Sequence, residues 1–357
     1  MRTGTANTSA AATRGRRALR AGTVTVGAYA LPVALVIVSL FVGRYPISAG
    51  DVFGSLGAAL GVSGAEDSIQ ARSAAYTLVV NVRLPRAIAA ALVGAALAGS
   101  GAAFQGVFRN PLVSPSILGV SSGAGFGAAL AIVFFSSATA VVAPFAFLFG
   151  VLAVIASYLI ARVYRSTPTI MLILGGTIVS AVFSALISLM KFIADPETQL
   201  PNLVYWLMGS LSAIGWEQFA AAIPIAIGLI ALDVLAWRVN ILSMGDKEAR
   251  SLGLDVFRDK LLIIAAATLS TAGAVCMSGV IGWVGLVIPH IGRMMAGSDN
   301  RRLIPLSAAV GASFMLVIDL LCRTLSSSEI PIGVLTALIG APFFVYLLKK
   351  TKGRDWQ

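Results

Sequence analysis

The chain has 357 residues, 58% hydrophobic and only 11% charged. Soluble domains carry roughly 25% charged residues, so a water-soluble fold is excluded and a polytopic membrane protein is expected. The net charge of +11 would suggest nucleic acid in a soluble chain. In a bilayer it is first explained by Lys and Arg retained on the cytoplasmic side, and no nucleic-acid partner is expected.

Residues 1–22 are small, polar and basic, with Arg14, Arg16, Arg17 and Arg20, and read as a disordered cytoplasmic tail. The apolar run from Val24 to Val42 is long enough to span, and no small-residue cleavage site follows it, so it reads as a first membrane helix, not a signal peptide. Further apolar segments fall at about 84–107, 115–135, 141–163, 169–191, 217–237, 260–280, 281–297, 303–325 and 331–348. They are continuous, not alternating, which disfavours a β-barrel. A span needs ~20 apolar residues, so these ten segments predict an all-α bundle in a single transmembrane domain over 23–350, with a cytoplasmic tail at 351–357.

Charge placement decides two intervals. The 52 uncharged residues between Arg109 and Arg162 fit two helices turning near Ser136, Ser137 and Pro144. The uncharged stretch between Glu197 and Glu217 contains Pro201, Asn202, Gly209, Ser210, Ser212 and Gly215, and reads as a short helix at the outer surface. Counting it as a span would put Arg238, Lys247, Arg250, Arg258 and Lys260 outside. With ten spans and both termini in the cytoplasm, 20 of the 26 basic residues fall inside, leaving Arg44, Arg72, Arg83, Arg86, Lys191 and Arg323 as exceptions. Gly94, Ala98 and Gly101, with Ala91 and Ala95, have the small-residue spacing that lets helix backbones approach closely.

Four segments carry more specific signals. In Arg83-Leu84-Pro85-Arg86 the proline suits a first helical turn, so the arginines bracket an outer helix start. Two guanidiniums at the positive end of a helix call for anionic partners, either lipid phosphates or carboxylates. After this span, Gln105 to Leu112 leads through Asn110-Pro111 into a turn ending at Gly125; without a Walker lysine it is no ATP site. Asn240 to Asp255 can be helical on either side of Gly245 and to end at Gly253. Its apolar knobs Leu242, Ala249, Leu252 and Leu254 leave a solvated loop and a docking helix both open. Gly279 to Arg293 reads as a bent pair of short helices, with His290 a hydrogen-bonded structural histidine and no metal ligand. Asp319 and Arg323 are one helical turn apart with Glu329 beyond, and ionisable groups at membrane depth are functional candidates. Cys276 and Cys322 read as small buried hydrophobes. Thr169, Ser180 and Ser184, near helical spacing on one span, make either a polar path face or a helix-packing face.

RLPR, the NPL turn with LGVSSGAG, MGDKEARSLGL, GWVGLVIPHIGR and EIPIGVLTALIGAPFF occur in the order and spacing of the FecCD family, and over about residues 45–349 the chain resembles these permease subunits of type II ABC importers. The resemblance implies about ten transmembrane helices per subunit, two subunits around a central path, two cytoplasmic ATPase subunits that hold ATP and Mg, and an external solute-binding protein. It implies residence in the cell inner membrane and no cofactor or catalytic residue on this chain. The cargo it implies is an iron(III)–siderophore complex, with haem or a corrinoid as alternatives. It makes 240–256 the coupling segment, with Met244, Gly245, Glu248, Ala249, Leu252 and Gly253 facing the ATPase as a pair of coupling helices. Arg83, Arg86 and Arg323 become docking residues for the binding protein. Ser166-Thr167-Pro168-Thr169-Ile170 departs from the more hydroxyl-rich pattern of vitamin B12 members. The rival from another class is an ion-coupled secondary transporter, which would place carboxylates mid-membrane; Asp233 and Asp319 are expected near span ends. An intramembrane enzyme would need a nucleophile–base pair or a metal set, and the lone histidine has no such partners.

Overall fold

The computed structural model describes residues 26–61, 74–162, 168–326 and 328–351. The basic segment 1–22, Arg72, Arg165, Ser166, Thr167 and residues 352–357 lie outside the described residues. Among those described there is helix and no strand. The helices are α1 (Val26–Phe41), α2 (Ala49–Ala59), α3 (Ala74–Val107), α4 (Val120–Phe134), α5 (Thr139–Ala161), α6 (Thr169–Ile193), α7 (Gln199–Met208), α8 (Ala222–Met244), α9 (Asp246–Ser251), α10 (Val256–Ser278), α11 (Val284–Ala296), α12 (Asn300–Thr324) and α13 (Ile332–Thr351). Six of them, α3, α5, α6, α8, α10 and α12, are long and apolar enough to cross a membrane, and α1, α4, α11 and α13 are shorter apolar helices. These correspond to the ten expected segments. The 15 residues of α4 rise only about 22 Å, because its first turn is replaced by the 3-10 turn Pro115–Leu118, which Gly119 ends at φ 86°.

Helix α3 is the axis of the bundle and is buried along most of its length. A Cβ on Gly94 would overlap the carbonyl of Gly311 in α12, and one on Gly101 would overlap that of Gly285 in α11. The small-residue spacing therefore serves packing within the chain. Lipid tails give helices no hydrophobic reason to associate, so close backbone approach and dispersion contacts hold them together.

Several boundaries differ from expectation, each for a local reason. Helix α3 begins at Ala74, well before Pro85, and passes through a π-helical stretch from Thr77 to Arg83, in which Leu84 N–H bonds to the Val79 carbonyl. Proline removes a helical donor and crowds the preceding turn; the widened π turn absorbs both effects. Arg83 and Arg86 therefore lie inside a helix and do not bracket its start. Helix α8 runs on to Met244, so Asp233 stands near its middle, exposed, within electrostatic reach of Tyr29 on α1. The expectation that no carboxylate lies mid-helix is corrected by this extension. The Asp255 carboxylate accepts from Arg258 N–H at 3.1 Å and starts α10 earlier than apolarity alone suggests. The segment 279–297 holds one helix, α11, with Pro289 inside it, entered from an irregular stretch through Trp283 at φ 69°. Helix α2 was not anticipated. Its Ser48 hydroxyl accepts from Asp51 N–H at 3.1 Å, while Ile47 and Val52 pack in the same small core as a hydrophobic staple.

Candidate functional site

One end of the bundle holds a buried charge network. Arg86 Nε donates to Asp319 Oδ1 at 2.8 Å, and Arg86 Nη1 donates to Glu329 Oε1 at 2.9 Å. Arg323 Nε lies 3.2 Å from Asp319 Oδ2, near enough for an ion pair but misaligned for a hydrogen bond. Arg83 donates to the Leu40 carbonyl at 2.7 Å and to that of Tyr45, closing the open end of α1 and its following turn. The expectation of docking cations meets a different geometry here: Arg83, Arg86 and Arg323 are all buried, and Arg86 and Arg323 are internal partners of Asp319 and Glu329. Stripping water from a guanidinium is expensive, so in an apolar bundle each turns toward an acceptor within the chain. Arg44 at the same end is exposed and donates to the Ser326 carbonyl at 3.3 Å.

The opposite end carries Arg109, Arg162, Arg238, Lys247, Arg250, Arg258, Arg301 and Arg302. It is organised by α9, which the glycine turn at Gly245 (φ 134°) sets off from α8. Only one short helix forms here, not a pair, because α8 continues through Met244. Ala249 and Leu242 face inward, and Asp246 Oδ2 accepts from the fully buried Lys260 at 2.7 Å, so α9 is fastened to α10. Met244 and Leu252 are left 62% and 57% exposed, Glu248 is exposed, and the chain leaves through Gly253 at φ 85°. Beside it Asn240 Nδ2 donates to Asp299 Oδ1 at 2.6 Å, and Asn240 Oδ1 accepts from Asn300 N–H at 2.7 Å, joining α8 to the start of α12. The Asn240 bond, seconded by Arg301 N–H, holds the Asp299 carboxyl below its ordinary range.

Between these ends, α6 is exposed along much of its length. Thr177, Ser184 and Ser188 are exposed on it, and no charge occurs between Thr169 and Lys191. Ser184 is thus on the open face and Thr169 is half-buried; Ser180 Oγ instead approaches Gly119 in the packing with the turn before α4. Thr177 was not anticipated, although it lies seven residues before Ser184 and so on the same face. A second hydroxyl cluster sits after α7, where Tyr205 OH lies 3.0 Å from both Ser210 Oγ and Ser212 Oγ. It opens into a cavity of about 250 Å³ that Ser137, Asn202 and Ser278 also line.

Gln105 was passed over as well, yet it fastens three segments. Arg293 Nη2 donates to its Oε1 at 2.9 Å, and its Nε2 donates to the carbonyls of Val113 and Leu286 at 3.3 and 3.2 Å. A lone amide in the last turn of an apolar span was the available signal. His290 Nε2, expected to be hydrogen-bonded, is buried without a partner among the described residues. Both cysteines are buried free thiols.

The model of the FecCD transport family matches residues 31–350. The chain is 42% identical over 327 residues to the molybdate import system permease protein MolB of Haemophilus influenzae, covering 90% of this chain and 94% of that one. It is 42% identical over 281 residues to the cobalamin import system permease protein BtuC of Halobacterium salinarum, covering 78% and 75%. A solved structure described as an inward-facing conformation of a putative metal-chelate type ABC transporter superposes with a TM-score of 0.80 at 40% identity, covering 92% of this chain and 99% of that one.

Proposed function

The chain belongs to the FecCD transport family as an ABC transporter permease, and from that premise we propose that it passes an iron(III)–siderophore complex inward across the cell membrane. It works as one of two permease subunits around a central path, with two ATPase subunits that carry ATP and Mg on the cytoplasmic side and a solute-binding protein outside. The end holding α9 is cytoplasmic, because the Lys and Arg gathered there obey the positive-inside rule. Met244 and Leu252 supply the apolar contact to the ATPase, and the inward-turned Ala249 and Lys260 make α9 move with α8 and α10. The binding protein docks at the Arg86 end. For Arg83, Arg86 or Arg323 to meet its carboxylates, each has to exchange an internal acceptor for an external one.

The observation that carries the cargo assignment is the exposed face of α6, uncharged from Ile170 to Met190 and marked by Thr177, Ser184 and Ser188. A wide chelate with a largely neutral surface passes such a wall, whereas a bare dianion in a low-dielectric path needs fixed positive charge. The 42% identity to a molybdate permease favours a metal oxyanion as the second reading. Proteoliposomes holding the permease with its ATPase and binding protein separate the two. ATP-dependent uptake of a ferric siderophore, with no uptake of molybdate, haem or cobalamin, is expected. Uptake of molybdate alone would replace the cargo, and uptake driven by an ion gradient without ATP would overturn the ABC mechanism.

A further inference from the structure

Where α5, α8 and α10 meet, a groove of about 570 Å³ opens on the side of the bundle, lined by Val151, Ile155, Leu159, Leu235, Leu262 and Leu269. Tyr158 and Thr268 bring the lining its only hydroxyls. On α5 the lining runs from Val151 to Leu159 and on α10 from Leu261 to Leu269, a length of roughly 12 Å on each helix. One leaflet supplies roughly 15 Å of hydrocarbon, half the bilayer core. The groove is therefore apolar over nearly the depth of one leaflet.

Its rim at the α9 end is basic. Arg162, Arg238 and Arg258 stand within one helical turn beyond Leu159 and Leu235 on α5 and α8, and before Leu261 on α10. They converge on the first turn of α10. The Arg162 guanidinium carbon lies 5.5 Å from the centre of the Phe257 ring, and that ring lies 6.0 Å from Tyr158 of the groove wall. Arg238 is neutralised by an ion pair with the buried Asp259. Arg162 and Arg258 are exposed and form no ion pair among the described residues.

From this we infer that the groove binds an anionic phospholipid of the leaflet at the α9 end, with an acyl chain along Ile155, Leu235 and Leu262 and the headgroup phosphate between Arg162 and Arg258. An apolar slot one leaflet deep beneath paired cations complements such a lipid at both ends. A zwitterionic lipid matches the slot but brings a cation of its own to the rim. A second copy of the chain fits poorly, because a two-fold contact across this face would set like arginine clusters against each other.

Native mass spectrometry of the delipidated permease, with phosphatidylglycerol and phosphatidylcholine added in turn, tests the site. Wild type should retain phosphatidylglycerol in preference. Arg162→Ala with Arg258→Ala should lower that retention roughly thirty-fold and lower that of phosphatidylcholine far less, so that the preference is lost. Ala265→Trp, which fills the groove from an exposed position, should displace both lipids. Equal retention of the two lipids by wild type, or undiminished phosphatidylglycerol binding in the arginine variant, would overturn the site. A change of oligomeric state in Ala265→Trp without loss of lipid would make the groove a protein interface and defeat the proposal.

Discussion

Asp319 is shared by two arginines in the interior, and its removal should expose how the charge network is built. It is 1% exposed and lies 2.8 Å from Arg86 and 3.2 Å from Arg323, while Glu329 is 30% exposed and, among the described residues, ion-paired with Arg86 alone. Truncating one member of a buried pair costs about 3–5 kcal/mol, most of it from the charge left unpaired. Asp319→Ala leaves Arg323 buried without an ion-pair partner among the described residues and Arg86 dependent on Glu329, so the full range is expected. Glu329→Ala leaves Arg86 paired with Asp319 and removes only a partly solvated contact, for about 1 kcal/mol or less. At ~2 °C per kcal/mol for a chain of this size, Asp319→Ala should lower the midpoint of thermal unfolding in detergent by roughly 6–10 °C, and Glu329→Ala by about 2 °C. Replacing Arg86, Asp319 and Arg323 together with Met, Leu and Leu should recover most of the loss, because well-packed apolar residues replace buried ions at little cost. Equal effects of Asp319→Ala and Glu329→Ala, or no recovery in the triple variant, would refute the reasoning. The same geometry means that charge reversal at Arg83 or Arg323 should destabilise the fold before it informs on docking.

Two further outcomes follow from the opposite end. Leu252 follows α9 directly and is mostly exposed, so Leu252→Asp should leave insertion and the unfolding midpoint within about 0.5 kcal/mol of wild type while reducing co-purification of the ATPase at least tenfold; unchanged co-purification would return 240–256 to a solvated loop. Asp299 caps α12, accepting from Arg301 N–H at 3.1 Å, and its carboxyl is held low chiefly by Asn240. A depressed carboxyl stabilises the fold fully above its unfolded value of ~3.9 and loses that contribution as pH falls through the lower folded value. Asp299→Ala should therefore cost about 1 kcal/mol at neutral pH and converge on wild type in acid; a difference that does not narrow with acidification would refute the cap.

The amino-acid sequence by itself determined the membrane class, the ten apolar helices, the short helix before Gly209 and the gathering of basic residues at one end. These depend on local hydropathy and on charge counts, which need no knowledge of neighbours. It also marked the segments that matter, since RLPR, Gln105 to Leu112 and Asn240 to Asp255 all lie at junctions of the fold. What it left open was the direction of each side chain. Arg83 and Arg86 look like surface cations only while their acceptors, in α1 and the turn after it, in α12 and beyond it, are far away along the chain. Leu252 could not be told from Ala249 as outward or inward until the positive φ of Gly245 set the angle of α9. The groove beneath Arg162 and Arg258 has no sequence signature, for its walls come from three helices, of which α5 lies far from α8 and α10 along the chain. In a bilayer, partner choice is enforced by the cost of an unsatisfied polar group, so contacts between segments distant in the chain decide what each charged residue does.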